Sequence, residues 1–139
     1  MTSGRTGVRP VVVETYAGLL NAGITPVVRE YGSLGCSGDL APLAHIALAA
    51  MGEGDVRAAD GELVAASAAL SAAGIEPLTL VEKEGLALIN GTDGMLGMLV
   101  LALHDLETLL LTADMAAAMS VESQMGTDCL LYTSDAADE

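Results

Sequence analysis

The chain has 139 residues, 52% of them hydrophobic, and a formal net charge of −14, a size that fits one ordinary domain. The hydrophobic share argues against a disordered acidic polymer, and five basic against nineteen acidic residues argue against a surface for nucleic acid or anionic membranes. Aromatic residues make up only 2% of the chain. The apolar groups are therefore mainly Ala, Leu, Val and Met, which favour closely packed helices over a sheet.

Hydrophobic periodicity predicts five helices, most of them bounded by glycine or proline. Pro10 suits the first turn of the first helix. Ser37 or Asp39 is the candidate N-cap of the second helix, and Gly74 ends the third. In chain order, the predicted helices run from residue 10 to 20, from residue 37 or 39 to about 52, from 65 to 74, from 81 to 89, and from 93 to 119 or beyond.

Two further segments are predicted to be extended. Residues 27–34 are predicted to form an extended segment that leads into the second helix. Asp60 and Gly61 lie between short stretches of partly alternating polarity, which is typical of a small hairpin near residues 55–65. The predicted fold class is all-α, a piece of a helical bundle with one small β-hairpin.

The last eleven residues, "CLLYTSDAADE", differ from the rest of the chain. They do not continue the pattern of the preceding helix, and all of them match the translated read-through of a transposase adapter used in sequencing libraries. We therefore interpret residues 129–139 as a non-native tail and residues 1–128 as a fragment of a larger catalytic domain. Without the tail, Cys36 is the single cysteine, and this usage favours a reducing, cytoplasmic compartment.

The stretch "GSLGCSGDLAPLAH" at residues 32–45 places three glycines around a Cys-Ser pair. A nucleophilic serine needs a base within hydrogen-bond reach, but His45 follows Ser37 by eight residues, about two helical turns. Asp39 stands where the G-x-S-x-G turn of hydrolases has its second glycine. The Lys and Ser/Thr of a phosphate-binding loop are missing. A nucleophilic Cys36 and a simple glycine-rich turn with a serine cap both remain open.

Closure of a ring within the backbone also fits this spacing. The amide nitrogen of Gly38 would attack the carbonyl carbon of Cys36, and loss of water and of the Ser37 hydroxyl would leave a methylidene-imidazolone. Glycine suits the third position because a Cβ would obstruct the close approach of the attacking nitrogen. Cys36 contributes only its carbonyl group, so its side chain can vary if it is small. The product is an electrophile that the standard side chains do not provide.

This segment resembles the signature of the aromatic amino acid ammonia-lyases. Two further blocks are similar to that family, "GVRPVVVET" at residues 7–15 and "EPLTLVEKEGLALINGTDG" at residues 76–94, and so is "SVESQMGTD" at residues 120–128. The resemblance covers nearly all of residues 4–128 and is greatest to the members that act on histidine. One departure is Cys36, which stands where the family has alanine.

The resemblance implies a carbon–nitrogen lyase that eliminates ammonia from L-histidine to give trans-urocanate. Its prosthetic group would be 4-methylidene-imidazol-5-one (MIO), formed from Cys36, Ser37 and Gly38 without an external cofactor. The helix that follows would direct its N-terminal dipole at the ring. Asn90, in "INGT", matches the family asparagine that helps to hold the ring and the substrate.

The resemblance also implies a homotetramer whose active sites combine residues from more than one subunit. The base tyrosine of the family would precede this chain, and its other tyrosine, arginine, glutamine and glutamate contributors would follow it. Tyr16 and Tyr31 lie outside the matching motifs, so the role of base is not assigned to them. We expect the chain alone to be inactive. The alternatives are another MIO enzyme, a lyase or aminomutase for phenylalanine or tyrosine, and a non-catalytic helical oligomerisation module.

Other conspicuous residues are interpreted as structural. His45 is expected to be a packed helix residue and His104 to lie on a polar stripe, and neither has a partner at metal-ligand spacing. Glu82, Lys83 and Glu84 are expected to form a solvated helix start. Four methionines at helical spacing are expected to fill a core: Met95, Met98, Met115 and Met119.

Overall fold

The computed structural model describes residues 4–126, so the predicted tail at residues 129–139 lies outside the described part. The elements in this part are five helices and three short strands: α1 (Pro10–Asn21), β1 (Thr25–Pro26), α2 (Leu40–Ala50), β2 (Asp55–Arg57), β3 (Leu63–Ala65), α3 (Ala66–Ala72), α4 (Glu84–Ile89) and α5 (Asp93–Ser123). The mainly helical fold class is confirmed. The described residues divide into two compact units, with the boundary between Gly97 and Met98.

The hairpin is confirmed as part of a slightly larger sheet. β2 and β3 pair antiparallel, with Val56 opposite Val64, and Glu62 donates its N–H to the Asp60 carboxylate at 3.0 Å in the connecting turn. β1 adds a third antiparallel strand through Pro26 opposite Val56. The strand therefore ends at Pro26, and the predicted extended segment at residues 27–34 contains no strand.

Most of the core of the first unit is built from small and medium apolar side chains. Alanines on α2 and α3 let these elements approach α1 and the sheet closely, and burial of their apolar surface stabilises the fold. Half-buried Tyr16 and Ile75 pack against this cluster. Its buried members are Leu19, Ile24, Ala49, Ala50, Val56, Ala66, Ala69 and Leu70.

A second buried cluster brings three helices together. Val12 of α1, Ala47 of α2 and Leu88 of α4 meet here with Leu78, each no more than 6% exposed. Leu78 is held further by its backbone N–H, which donates to the carbonyl of Ala50 at 2.9 Å. This cluster fixes α4 beside α2, and the loop that precedes α2 carries the Cys-Ser-Gly tripeptide.

The start of α4 differs from the prediction. The helix begins at Glu84 rather than at Val81, and Lys83, the residue before it, has a left-handed φ of 71°. Glu84 is only 1% exposed, so the expected solvated helix start is wrong for this residue. The reason is a long-range ion pair with Arg9, which the local pattern does not reveal.

The helix predicted from residue 93 is confirmed as α5, which runs to Ser123. Within the second unit its apolar side chains are largely exposed, so the expected core role is not met here by Met98, Met115 or Met119, at 48%, 53% and 70% exposure. By length and composition alone, Glu84–Ser123 could cross a membrane, because it contains an 18-residue window with a mean hydropathy of 1.7. Core helices of soluble proteins meet the same criterion.

Candidate active site

The loop before α2 is closed by the carboxylate of Asp39. One oxygen accepts the backbone N–H of Leu34 at 2.8 Å and the other accepts the hydroxyl of Ser33 at 2.5 Å. Asp39 is 1% exposed. It precedes α2 in the N-cap position, yet its side chain makes no capping hydrogen bond. Neither Ser37 nor Asp39 therefore acts as the predicted side-chain cap, because the Asp39 carboxylate folds back to hold the loop.

The predicted tripeptide lies on this closed loop. Cys36 and Ser37 are exposed, whereas Gly38 is buried. Gly38 has a φ of +75° and Gly35 a φ of +63°, which is the left-handed region that favours glycine. The loop thus presents the Ser37 hydroxyl outward, while the nitrogen of the third residue faces the interior.

The turn that follows α4 lies directly against Gly38. The carbonyl oxygen of Gly91 accepts two neighbouring N–H groups, from Gly38 at 3.2 Å and from Asp39 at 3.3 Å. Asn90 ends α4 as its C-cap, and its own N–H donates to the carbonyl of Leu86 at 3.0 Å. Backbone hydrogen bonds therefore connect the loop before α2 to the turn after α4, although the two segments are far apart in sequence.

The Asn90 side chain occupies the space beside the Gly38 Cα. A Cβ built on Gly38 would lie 2.5 Å from Oδ1 of Asn90, closer than real Cβ contacts. Asn90 itself is exposed, so its carboxamide is open to a small molecule. The structure thus brings together all four residues that the sequence singled out, Cys36, Ser37, Gly38 and Asn90, and their chemical roles remain a prediction.

The residues present fit a methylidene-imidazolone formed at this tripeptide. The left-handed backbone at Gly38 has no Cβ to hinder its nitrogen, and the space such an atom would fill is taken by a carboxamide that can hydrogen-bond to a polar ring. The exposed Ser37 hydroxyl can depart into solvent. Asp39 and Gly91 hold the loop on its inner side.

Sequence reasoning missed a half-buried ion pair near this site, in which the Glu84 carboxylate is enclosed and the Arg9 side chain is 45% exposed. Arg9 donates two side-chain hydrogen bonds to the Glu84 carboxylate. One runs from Nε to Oε1 and the other from Nη2 to Oε2, and each is 2.8 Å long. These side-chain bonds, with backbone bonds from Val81 and Arg9, lower the pKa of Glu84 from its ordinary 4.5 to about 2. Both residues fall in blocks that resemble the family, but no local signal predicts a pairing across 75 residues.

Tyr16 has a buried hydroxyl without a hydrogen-bond partner among the described residues. Burial, and next the negative charge of Asp93, raise the pKa of Tyr16 to about 12. His45 is half-buried and accepts the N–H of Arg29 at 3.4 Å through Nδ1, as expected of a packed histidine, and His104 is exposed. Residues 4–126 hold no group of three or more His, Cys, Asp or Glu placed to bind a metal.

Comparison with known proteins assigns the family. The family model described as "Aromatic amino acid lyase" matches residues 1–133. A histidine ammonia-lyase from Streptomyces coelicolor is 65% identical over 129 residues, which are 93% of this chain and 25% of that protein. The crystal structure of a histidine ammonia-lyase from Trypanosoma cruzi matches 91% of this chain and 25% of its own, with a TM-score of 0.77 at 38% identity.

A solved tyrosine aminomutase from Streptomyces globisporus is 52% identical over 65% of this chain and 16% of its own, with a TM-score of 0.57. The chain spans about a quarter of the length of the curated relatives it matches. The match to the family model nevertheless covers all of the described residues. The chain belongs to the aromatic amino acid lyase family.

Proposed function

We propose that the protein carrying this chain is a carbon–nitrogen lyase that eliminates ammonia from L-histidine to give trans-urocanate. The observation that carries the proposal is the contact between the Asn90 carboxamide and Gly38, the third residue of the Cys-Ser-Gly tripeptide. Curated relatives named histidine ammonia-lyase, at 50–65% identity over most of this chain, support the choice of substrate.

Cys36, Ser37 and Gly38 would form the MIO group of this enzyme. Once formed, the group supplies an electrophilic methylidene carbon for the amino group of the substrate. Asn90 would hold the ring and the substrate by hydrogen bonds from its exposed carboxamide. Asp39 would keep the loop closed, and the carbonyl of Gly91 would anchor it from the inner side.

Other parts of the machinery would come from outside this chain. Tyr16 would not be the base, because its hydroxyl is buried and burial raises its pKa to about 12, further from neutral pH than the ordinary value of 10. We further propose a homotetramer, since the exposed apolar side chains of α5 call for partners. The proposed location is cytoplasmic, which the cysteine usage favours. The chain by itself would then have no activity.

The test is a graft into a complete relative. Residues 1–128 replace the matching quarter of the Streptomyces coelicolor relative, and the peptide that contains Ser37 is weighed. Ring formation removes the mass of two water molecules, and the grafted protein should release ammonia from L-histidine. The matched control, Ser37→Ala, should keep the unmodified mass and lose activity. A graft that folds with the unmodified mass would favour a non-catalytic oligomerisation module instead.

A second candidate is an MIO enzyme acting on tyrosine or phenylalanine. The observation in its favour is the 52% identity to the tyrosine aminomutase structure. Grafting the same residues into that aminomutase provides the comparison. Ring formation and activity in the histidine host with poor activity in the aminomutase host would support histidine. The reverse result would support the second candidate.

A further inference from the structure

We propose that Arg9 and Glu84 are positioning residues of the candidate active site. Their ion pair fixes the start of α4, and α4 in turn holds Asn90 and Gly91 against Gly38. The inference rests on the proposed function, because it concerns the same site. Neither residue reaches the tripeptide itself, so they act through α4.

The pair is built to hold one geometry. The Arg9 guanidinium meets the Glu84 carboxylate in a two-pronged arrangement, and Nη2 of Arg9 also donates to the carbonyl of Thr79 at 2.7 Å. The backbone N–H groups of Arg9 and Val81 add two further bonds to the carboxylate, each 3.0 Å long. Such bidentate, charge-assisted bonds are directional as well as strong. The start of α1 and the start of α4 are thereby locked together.

α4 needs this external support because it is short. It has six residues, far fewer than a helix needs to be stable by itself in water. Its first residue, Glu84, is held by Arg9, and Leu88 is held in the cluster with Val12 and Ala47. The left-handed Lys83 immediately before the helix shows that the chain turns sharply there.

The other end of α4 carries the site. Glu84 and Asn90 are six positions apart, about 9 Å along a helix. Because α4 has only six residues and depends on outside contacts, loss of the contact at its start should change the position of its end. The Asn90 carboxamide fills the space that a Cβ on Gly38 would occupy, and a displacement of about 1 Å near reacting groups can cost roughly a hundredfold in rate.

The experiment measures coupling between Glu84 and Asn90 in the grafted full-length protein. Glu84→Gln is made alone and together with Asn90→Ala, and kcat/KM for L-histidine is determined for each. We expect Glu84→Gln to lower kcat/KM about tenfold when Asn90 is present and less than about twofold when it is absent, because interacting residues are non-additive. Glu82→Gln is the matched control, since Glu82 is exposed, lies in the same segment and acts on Arg9 only through its charge, more weakly than Glu84 does.

Equal factors in both backgrounds would overturn the positioning role, as would an effect of Glu82→Gln as large as that of Glu84→Gln. If Glu84→Gln does not fold, Arg9→Lys gives the same comparison, because it keeps the charge and loses the two-pronged geometry. A parent graft that keeps the unmodified mass of the tripeptide would instead overturn the proposed function. The two failures are therefore distinguishable.

Discussion

Gly38 combines two requirements that no other residue type meets. Its φ of +75° is unfavourable for side chains with a Cβ, and the position of that Cβ is taken by Oδ1 of Asn90 at 2.5 Å. Gly35 shares the first requirement, with a φ of +63°, but nothing lies within 4 Å of a Cβ built there. Substituting each glycine in turn therefore distinguishes the effect of backbone strain, which both positions share, from the effect of crowding against Asn90, which arises only at Gly38.

We expect Gly38→Ala to abolish ring formation in the grafted protein and Gly35→Ala to preserve most of it. Both changes introduce left-handed strain of about 1–2 kcal/mol, but only the change at Gly38 displaces the Asn90 carboxamide. The mass of the peptide that contains Ser37 reports the result. Equal loss of ring formation in both variants would show that strain, and not the contact with Asn90, limits the reaction.

Tyr16 gives a prediction at alkaline pH. Its pKa of about 12 in the folded chain exceeds the ordinary value of 10, so the unfolded chain releases this proton first. The contribution of Tyr16 to the free energy of unfolding is complete below pH 10 and is lost as the pH rises from 10 to about 12. Denaturation of the grafted protein across this range should show a weaker loss of stability in Tyr16→Phe than in the parent.

The matched control for Tyr16 is Tyr31→Phe, because Tyr31 is 85% exposed. This variant should follow the parent across the alkaline range. Tyr16→Phe should also keep its activity at neutral pH, where the Tyr16 hydroxyl is protonated. A large loss of kcat in Tyr16→Phe alone would contradict the placement of the base outside this chain.

At the scale of the element, α4 should be sensitive to acid through Glu84. The pKa of this carboxylate is about 2 when folded and 4.5 ordinarily. Its stabilising contribution is therefore present above pH 4.5 and is lost as the pH falls towards 2. The stability of the parent should decline across that window, and Glu84→Gln should lack this part of the decline. Glu82→Gln should decline as the parent does, and identical slopes for all three proteins would argue against a stabilising pair between Arg9 and Glu84.

Elements with local signals could be predicted from the sequence. Pro10 marks the start of α1, Asp60 and Gly61 mark the hairpin, and Gly74 follows the end of α3. Each signal acts through the backbone conformation of the residue itself or of its immediate neighbours. The bounds of these elements accordingly lie close to the predictions.

Elements that depend on distant partners could not be predicted in this way. β1 is only two residues long and exists because Pro26 pairs with Val56. The late start of α4 depends on Arg9, 75 residues away. The same limit applies to the site. The family resemblance predicts which residues belong to it, the tripeptide and Asn90, but their proximity depends on the packing of α4 beside α2.

At the scale of the whole molecule, the apolar surface of α5 determines how the chain behaves in isolation. Leu101, Leu109 and Leu111 are each more than 60% exposed, and apolar patches of this kind mark interfaces or sites of aggregation. We expect residues 1–128, produced alone, to self-associate in sedimentation experiments. Replacing Leu101 and Leu109 with Glu should reduce that association. A monomeric parent segment with two-state unfolding would contradict the expectation.

The burial of Glu84 has a consequence for the response of the protein to ionic strength. The chain has nineteen acidic and five basic residues, so exposed carboxylates repel one another. Dissolved ions screen exposed charges beyond about 8 Å at physiological ionic strength, but they act much less on buried pairs. Added salt should therefore relieve the repulsion at the surface, while it weakens the ion pair less, because the Glu84 carboxylate is enclosed although the Arg9 side chain is 45% exposed. The link between the starts of α1 and α4 should therefore lose less strength in salt than an ion pair in which both side chains face water.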